Sequence, residues 1–196
     1  MGDRSESLAR SGTRSARTHL APFVALAVAA VVAALFVVLL GSDPPNNETA
    51  ETNLMDLPAP DARGELADGS AFQLSRRKGD WVILNFFQSS CVPCQEEHPE
   101  LVDFVGAQQA QPDGARFYSV VWDDSRENVE QFFAREGGDW PIVYDDAGSI
   151  SVAFGVTAVP ETWIIDPGGV IRYRTIATVT ADSLGATLQQ LRERFG

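Results

Sequence analysis

The sequence predicts an α/β domain of three layers, a mixed central sheet flanked by helices, behind a long apolar segment. Three observations carry this. Residues 81–87 (WVILNFF) and 116–122 (RFYSVVW) are nearly continuous apolar runs, the mark of strands buried on both faces. Segments with helical spacing alternate with these runs, as in sheets covered by helices on both faces. Near the C-terminus, Asp166-Pro167-Gly168-Gly169 joins two further apolar runs, the composition of a hairpin turn.

The elements are read in chain order. Leu20–Leu40 is almost wholly apolar and carries no charge. As a helix it spans roughly 30 Å, the hydrocarbon thickness of a bilayer. Arg4, Arg10, Arg14 and Arg17 precede it, against only Asp3 and Glu6, and the remainder is strongly acidic. The excess of basic residues on the N-terminal side leaves residues 1–19 as a cytoplasmic tail and puts everything after Leu40 outside. A cleaved signal peptide fits less well: the run is too long, and Leu39-Leu40-Gly41-Ser42 is a poor cleavage site. The expectation is a single-pass transmembrane signal anchor over 20–40 in the cell membrane. Residues 41–57, with Pro44-Pro45, Asn46-Asn47 and scattered acids, read as a flexible linker. Residues 58–196 read as one domain.

Within it, Ala71–Leu74 is expected as a short strand after a turn at Asp68-Gly69, and Trp81–Phe87 as a buried strand. Cys91–Gln109 reads as a helix with Leu101, Val102, Phe104 and Val105 on its apolar stripe. Arg116–Trp122 is the second buried strand. Ser125–Glu136 is a helix capped by Ser125, with Val129, Phe132 and Phe133 at helical spacing. A strand at Ile142–Tyr144 and a helix at Ala147–Phe154 follow. Glu161–Ile165 and Val170–Ile176 form the hairpin, and Thr180–Phe195 is a final amphipathic helix.

Composition excludes several functions. The 196 residues hold 27 Asp and Glu against 15 Lys and Arg, a net charge of -12, which argues against a nucleic-acid partner. Two cysteines cannot build a multi-disulfide scaffold, and two histidines with two cysteines make a closed zinc site improbable.

Both cysteines sit in one motif, Cys91-Val92-Pro93-Cys94, where a buried strand ends and a helix begins. The first helical turn offers unpaired N–H groups and the positive end of the dipole, so a Cys91 thiolate is stabilised there. Pro93 suits that turn because its missing N–H is not needed. Residues three apart on a helix lie within disulfide range, so the pair can open and close without refolding the domain. The alternatives are a structural disulfide, a half zinc site with His98 as third ligand, and two inert buried thiols. A four-residue ring restricts the unfolded chain by only about 2 kcal/mol, which makes a staple here a poor one. Redox exchange is the favoured reading.

Residues 82–101, containing this motif, resemble the active-site segment of the TlpA/ResA/DsbE (CcmG) family of membrane-anchored thioredoxin-like thiol–disulfide oxidoreductases. Ala59-Pro60-Asp61, Asp68-Gly69 and Phe72-Gln73-Leu74 are similar to the family's opening segment. Gly155–Asp166 (GVTAVPETWIID) is similar to its second motif. The resemblance covers about residues 58–196 and implies a thioredoxin fold. It implies Cys91 as the attacking thiol, Cys94 as the resolving thiol, and Glu97 as an acid that holds or relays a proton. Pro160 matches the family's cis-proline facing the cysteines, with the Val159 backbone taking an extended substrate segment and Glu161 beside it. Glu97 and Glu161 together would keep the thiol protonated until a partner docks. No cofactor is implied beyond the redox-active Cys91–Cys94 disulfide.

The implied partners are protein thiols and disulfides, apocytochrome c in cytochrome c maturation among them, and a membrane electron carrier of the DsbD/CcdA type. The same residues run in reverse give an extracytoplasmic oxidase, and a non-catalytic thioredoxin-like interaction module is the alternative of another class. Ser90 stands where thioredoxin-like proteins usually carry Trp, and Ala158 where the second motif has Gly.

Overall fold

The computed structural model describes residues 21–40 and 53–196. The tail over 1–19 and most of the linker expected over 41–57 lie outside these. Helix α1 covers Ala21–Leu40. Its side chains are described over residues 24–34, all of them exposed. Among the described residues, no helix is long and apolar enough to cross a membrane. Helix α1 and the C-terminal domain belong to separate compact units.

The domain runs β1 (Arg63–Leu66), β2 (Ala71–Gln73), a 3-10 turn (Leu74–Arg77), β3 (Val82–Phe87), α2 (Val92–Gln109), β4 (Arg116–Val121), α3 (Arg126–Glu136), β5 (Ile142–Tyr144), α4 (Ser149–Phe154), β6 (Glu161–Ile165), β7 (Ile171–Thr175) and α5 (Ala181–Phe195). The seven strands form one mixed sheet in the order β2-β1-β5-β4-β3-β6-β7. β3 is parallel to β4 and antiparallel to β6. Each element expected from 71 onward is present within two residues of its expected bounds.

Strand parity sets the two layers around the sheet, because successive side chains point to opposite faces. Ile83 packs with Leu101, Phe104 and Val105 of α2 and Leu184 and Leu188 of α5. Val82, Leu84 and Phe86 pack on the other face with Ile150 and Phe154 of α4 and with Trp163 and Ile165. All six residues of β3 are buried, so the strand is a rigid support for whatever follows Phe87.

Two features depart from the sequence reading. β1, with sequence RGEL, shows no apolar alternation, yet it joins β2 to β5. Gly64 makes this possible: a Cβ there would meet Tyr144 O and Val143 Cγ1 at 2.8 Å. The linker also ends earlier than Leu57. Leu54 and Met55 pack on the core. The Asp56 N–H donates to Ile171 O, and the Ile171 N–H to Leu57 O, both at 3.0 Å. This segment covers the outer edge of β7, which would otherwise leave ladder groups unpaired.

Candidate active site

β3 delivers the chain through Gln88-Ser89-Ser90 to Cys91, the N-cap of α2. Cys91 is extended (φ -74, ψ 115), and its Sγ accepts the Cys94 N–H at 3.2 Å. The sulfur thus takes the place that a serine oxygen fills in ordinary caps. Pro93 sits in the first turn, as the sequence indicated. Cys91 and Cys94 are joined in a disulfide with Cα atoms 5.2 Å apart.

The two sulfurs differ in access. Cys91 is half-buried, with Ser90, Val92 and Pro93 exposed around it. Cys94 is 3% exposed, packed with Phe87, Val121, Val129, Phe132 and Tyr144. Only Cys91 can meet an incoming protein. The loop before β6 closes over it: the Val159–Pro160 bond is cis, and Val159 O lies 3.6 Å from Cys91 Sγ. Val159 is half-exposed and Pro160 buried, so the Val159 backbone stands beside the reachable sulfur.

Glu97 lies one turn past Cys94 on the same side of α2, 2% exposed. Its Oε1 accepts Asn85 Nδ2 at 2.9 Å, and its Oε2 accepts the Val179 N–H at 3.1 Å. Asn85 also donates to Thr162 Oγ1 at 3.1 Å. Burial pushes the Glu97 carboxyl up to about 7, against the pull of the Asn85 and Val179 donors. Among the described residues, no cation is one of its hydrogen-bond partners, so it titrates near neutrality.

The expected pairing of Glu97 with Glu161 is not formed. Thr162 faces Asn85 and Glu97, so Glu161, one residue earlier on β6, points to the opposite face of the sheet. Glu161 is 0% exposed. Its Oε1 accepts Arg174 Nε at 2.8 Å and Trp163 Nε1 at 2.7 Å, and its Oε2 accepts Arg174 Nη2 at 3.3 Å. Burial raises its carboxyl, while Arg174 and Trp163 favour the charged form. A side chain enclosed this way cannot touch a substrate; it braces β6 directly after Pro160. Arg174 was not singled out in the sequence. The hairpin turn implied that β6 and β7 pair, but not the register that sets Arg174 beside Glu161.

His98 does not reach the cysteines as a ligand. Its Nε2 lies 3.0 Å from Gly137 O, and its ring meets Phe132 and Phe133 edge-on and Trp140 at a tilt. Burial lowers its pKa. Among the described residues, no group of three or more His, Cys, Asp or Glu is placed to hold a metal.

The arrangement is a half-exposed sulfur at a helix N-terminus, a buried partner sulfur, and a near-neutral acid behind it, a set suited to thiol–disulfide exchange. Comparisons with known proteins agree. The AhpC/TSA family model matches residues 55–174. The chain is similar to the thiol-disulfide oxidoreductase ResA of Geobacillus thermodenitrificans, 30% identical over 134 residues, covering 68% of this chain and 76% of that one. It is similar to the thiol:disulfide interchange protein DsbE of Vibrio cholerae, 31% identical over 163 residues, covering 79% of this chain and 81% of that one. Among solved structures, the thioredoxin domain of a Bacteroides vulgatus thiol-disulfide oxidoreductase superposes with a TM-score of 0.62 at 22% identity, covering 71% of this chain and 99% of that domain. That likeness shows the thioredoxin fold.

Proposed function

This chain belongs to the AhpC/TSA family and is a thiol–disulfide oxidoreductase of the ResA and DsbE kind, and we propose that it acts outside the cytoplasm as a reductase of protein disulfides. Its substrates include the apocytochrome c cysteines that must be reduced for haem attachment, and a membrane carrier of the DsbD/CcdA type returns its electrons. Leu20–Leu40 anchors it in the cell membrane with the N-terminus inside; the uncharged run and the arginines before it support this.

In the reduced enzyme, the Cys91 thiolate attacks one sulfur of the substrate disulfide. A Cys91–substrate disulfide forms, and the first substrate sulfur leaves as a thiolate and takes a proton. Cys94 then gives its proton to the Glu97 carboxylate and attacks Cys91 Sγ. The second substrate thiolate leaves, and the Cys91–Cys94 disulfide closes. Two electrons have passed to the substrate. The backbone of Val159 aligns the substrate segment, and Pro160 sets that backbone beside Cys91.

The observation that carries the reductase reading is the buried Glu97, raised to about 7 and one turn behind Cys94. An acid without a cation disfavours a neighbouring thiolate, and so favours the disulfide form of the pair. The test is the equilibrium reduction potential of the pair in defined thiol buffers. A value near or below about -270 mV supports a reductant, and one of about -120 to -180 mV overturns the reading in favour of an oxidase. If the pair does not exchange in the folded protein, neither redox direction stands and the Cys91–Cys94 bond is a structural disulfide.

A further inference from the structure

The loop Gln88–Ser90 is tied down from outside its own elements. The Ser89 N–H donates to Asp124 Oδ2 at 2.7 Å. Asp124 Oδ1 accepts the Ser125 N–H at 2.8 Å and Asn128 Nδ2 at 3.2 Å, at the start of α3. Gln88 Nε2 donates to Asp123 O at 2.7 Å, with Asp123 in a left-handed turn at φ 48. From the other side, Gln95 Nε2 donates to Ser89 O at 2.7 Å. One carboxylate therefore bonds both the backbone leading into Cys91 and the first turn of α3. Burial alone would raise the Asp124 carboxyl, but the Ser89, Asn128 and Ser125 donors hold it below the ordinary value. Its bond to Ser89 is therefore charge-assisted and strong.

We propose that Asp124 is a positioning residue for the redox centre, holding Ser89 so that the Cys91 sulfur stays on the Cys94 N–H as the cap of α2. This rests on the reading of Cys91 as the attacking thiol. The cap needs Cys91 in its extended conformation, and the Cys91 N–H donates to Gln88 O at 3.1 Å, within the loop that Asp124 holds. Asp124 acts on Cys91 in two opposed ways: its grip on the backbone favours the thiolate through the cap, while its negative charge disfavours it. Other charged groups around the cysteines are Asp123, Asp145 and Asp146, which line the cleft beside Ser90 with Asp124. Arg126 pairs with Asp146 and Glu65. On α2 stand Glu96, exposed, and Glu97, buried. Among the described residues, Asp124 is the carboxylate that bonds the loop.

The opposed effects give the test. In the full-length Cys94→Ser protein, the Cys91 thiolate is titrated by its ultraviolet absorbance, with and without substitutions at Asp124. Asp124→Ala releases the loop and is expected to raise the Cys91 pKa, leaving about fivefold less thiolate at neutral pH, the factor of a lost helix cap. Asp124→Asn keeps an acceptor oxygen and sheds the charge, and is expected to lower it. A purely electrostatic role would lower both, and a merely structural one would move neither; either result overturns the proposal. If Asp124→Ala does not fold, Asp124→Ser, one bond shorter and uncharged, is expected to raise the pKa too, and a fall or no change overturns the proposal. The reading of Cys91 is tested apart from Asp124: if Cys91→Ala, with Asp124 unchanged, still reduced a model disulfide, the reading of Cys91 would fall, and this inference with it.

Discussion

Replacing Glu97 with Gln removes a buried acid whose protonation is linked to folding. In the unfolded chain the carboxyl titrates at its ordinary value of 4.5, and in the folded domain at about 7. The folded state therefore binds the proton more tightly. Below pH 4.5 both states are protonated and the group's favourable contribution is fully present. As pH rises toward 7 the unfolded state ionises first, and stability falls; above 7 the contribution is gone. One pH unit is worth about 1.4 kcal/mol, so this displacement amounts to about 3 kcal/mol. The assay is urea unfolding of the oxidised protein from pH 4 to pH 8, for wild type and Glu97→Gln. Groups that titrate alike in both proteins, His98 among them, cancel in the difference. Wild type should lose about 3 kcal/mol relative to Glu97→Gln across the window. A flat difference, or one that rises with pH, refutes the assignment of Glu97 as a near-neutral buried acid.

Other substitutions test the remaining parts. Cys91→Ala should abolish reduction of a model disulfide, whereas Cys94→Ala should trap Cys91 as a mixed disulfide visible by mass; equal reactivity of the two variants would contradict the difference in access. Arg174→Met leaves Glu161 buried without its cation and should cost about 3–5 kcal/mol by urea unfolding. Adding Glu161→Gln should recover much of that loss, and a single-variant cost under about 1 kcal/mol would show that the pair contributes little. Thr180→Ala removes the capping box with Ser183 that opens α5 and should cost about 1 kcal/mol, read from the same unfolding curves.

Much of the fold was legible because its central elements are apolar in simple patterns. Val82–Phe87 is buried throughout, and its sequence VILNFF says so, apart from Asn85. Asn85 is buried because its amide is spent on Glu97 and Thr162. Ser125 announced its helix as a cap and accepts the expected Asn128 N–H, and Thr180, read only as the start of the last helix, caps α5 in the same way through the Ser183 N–H. β1 was illegible because pairing on both sides, not apolar side chains, holds it in the sheet. Asp124 was passed over because Asp123-Asp124-Ser125 reads as an ordinary helix start. Its long reach to Ser89 depends on β3 and β4 lying side by side, where the Trp122 N–H meets Phe87 O at 2.9 Å.

The two glutamates show why motif proximity is a weak guide to partnership. Both lie within three residues of a motif residue, Glu97 after Cys94 and Glu161 next to Pro160. What separates their fates is the group each one faces. Among the described residues, Glu97 meets only neutral donors, the Asn85 amide and the Val179 N–H, so burial is not offset by a charge and the acid titrates near 7. Glu161 meets a guanidinium held by two contacts, with Arg174 stacked 4.8 Å from the centre of the Trp163 ring. A carboxyl held in an ion pair braces the backbone, and one without a cation exchanges protons at the pH where thiols react. The division follows from strand parity: Thr162 turns toward α2, and Glu161 must turn away. In the exchange proposed above, proton transfer behind Cys94 therefore belongs to Glu97, while Arg174 keeps Glu161 out of it.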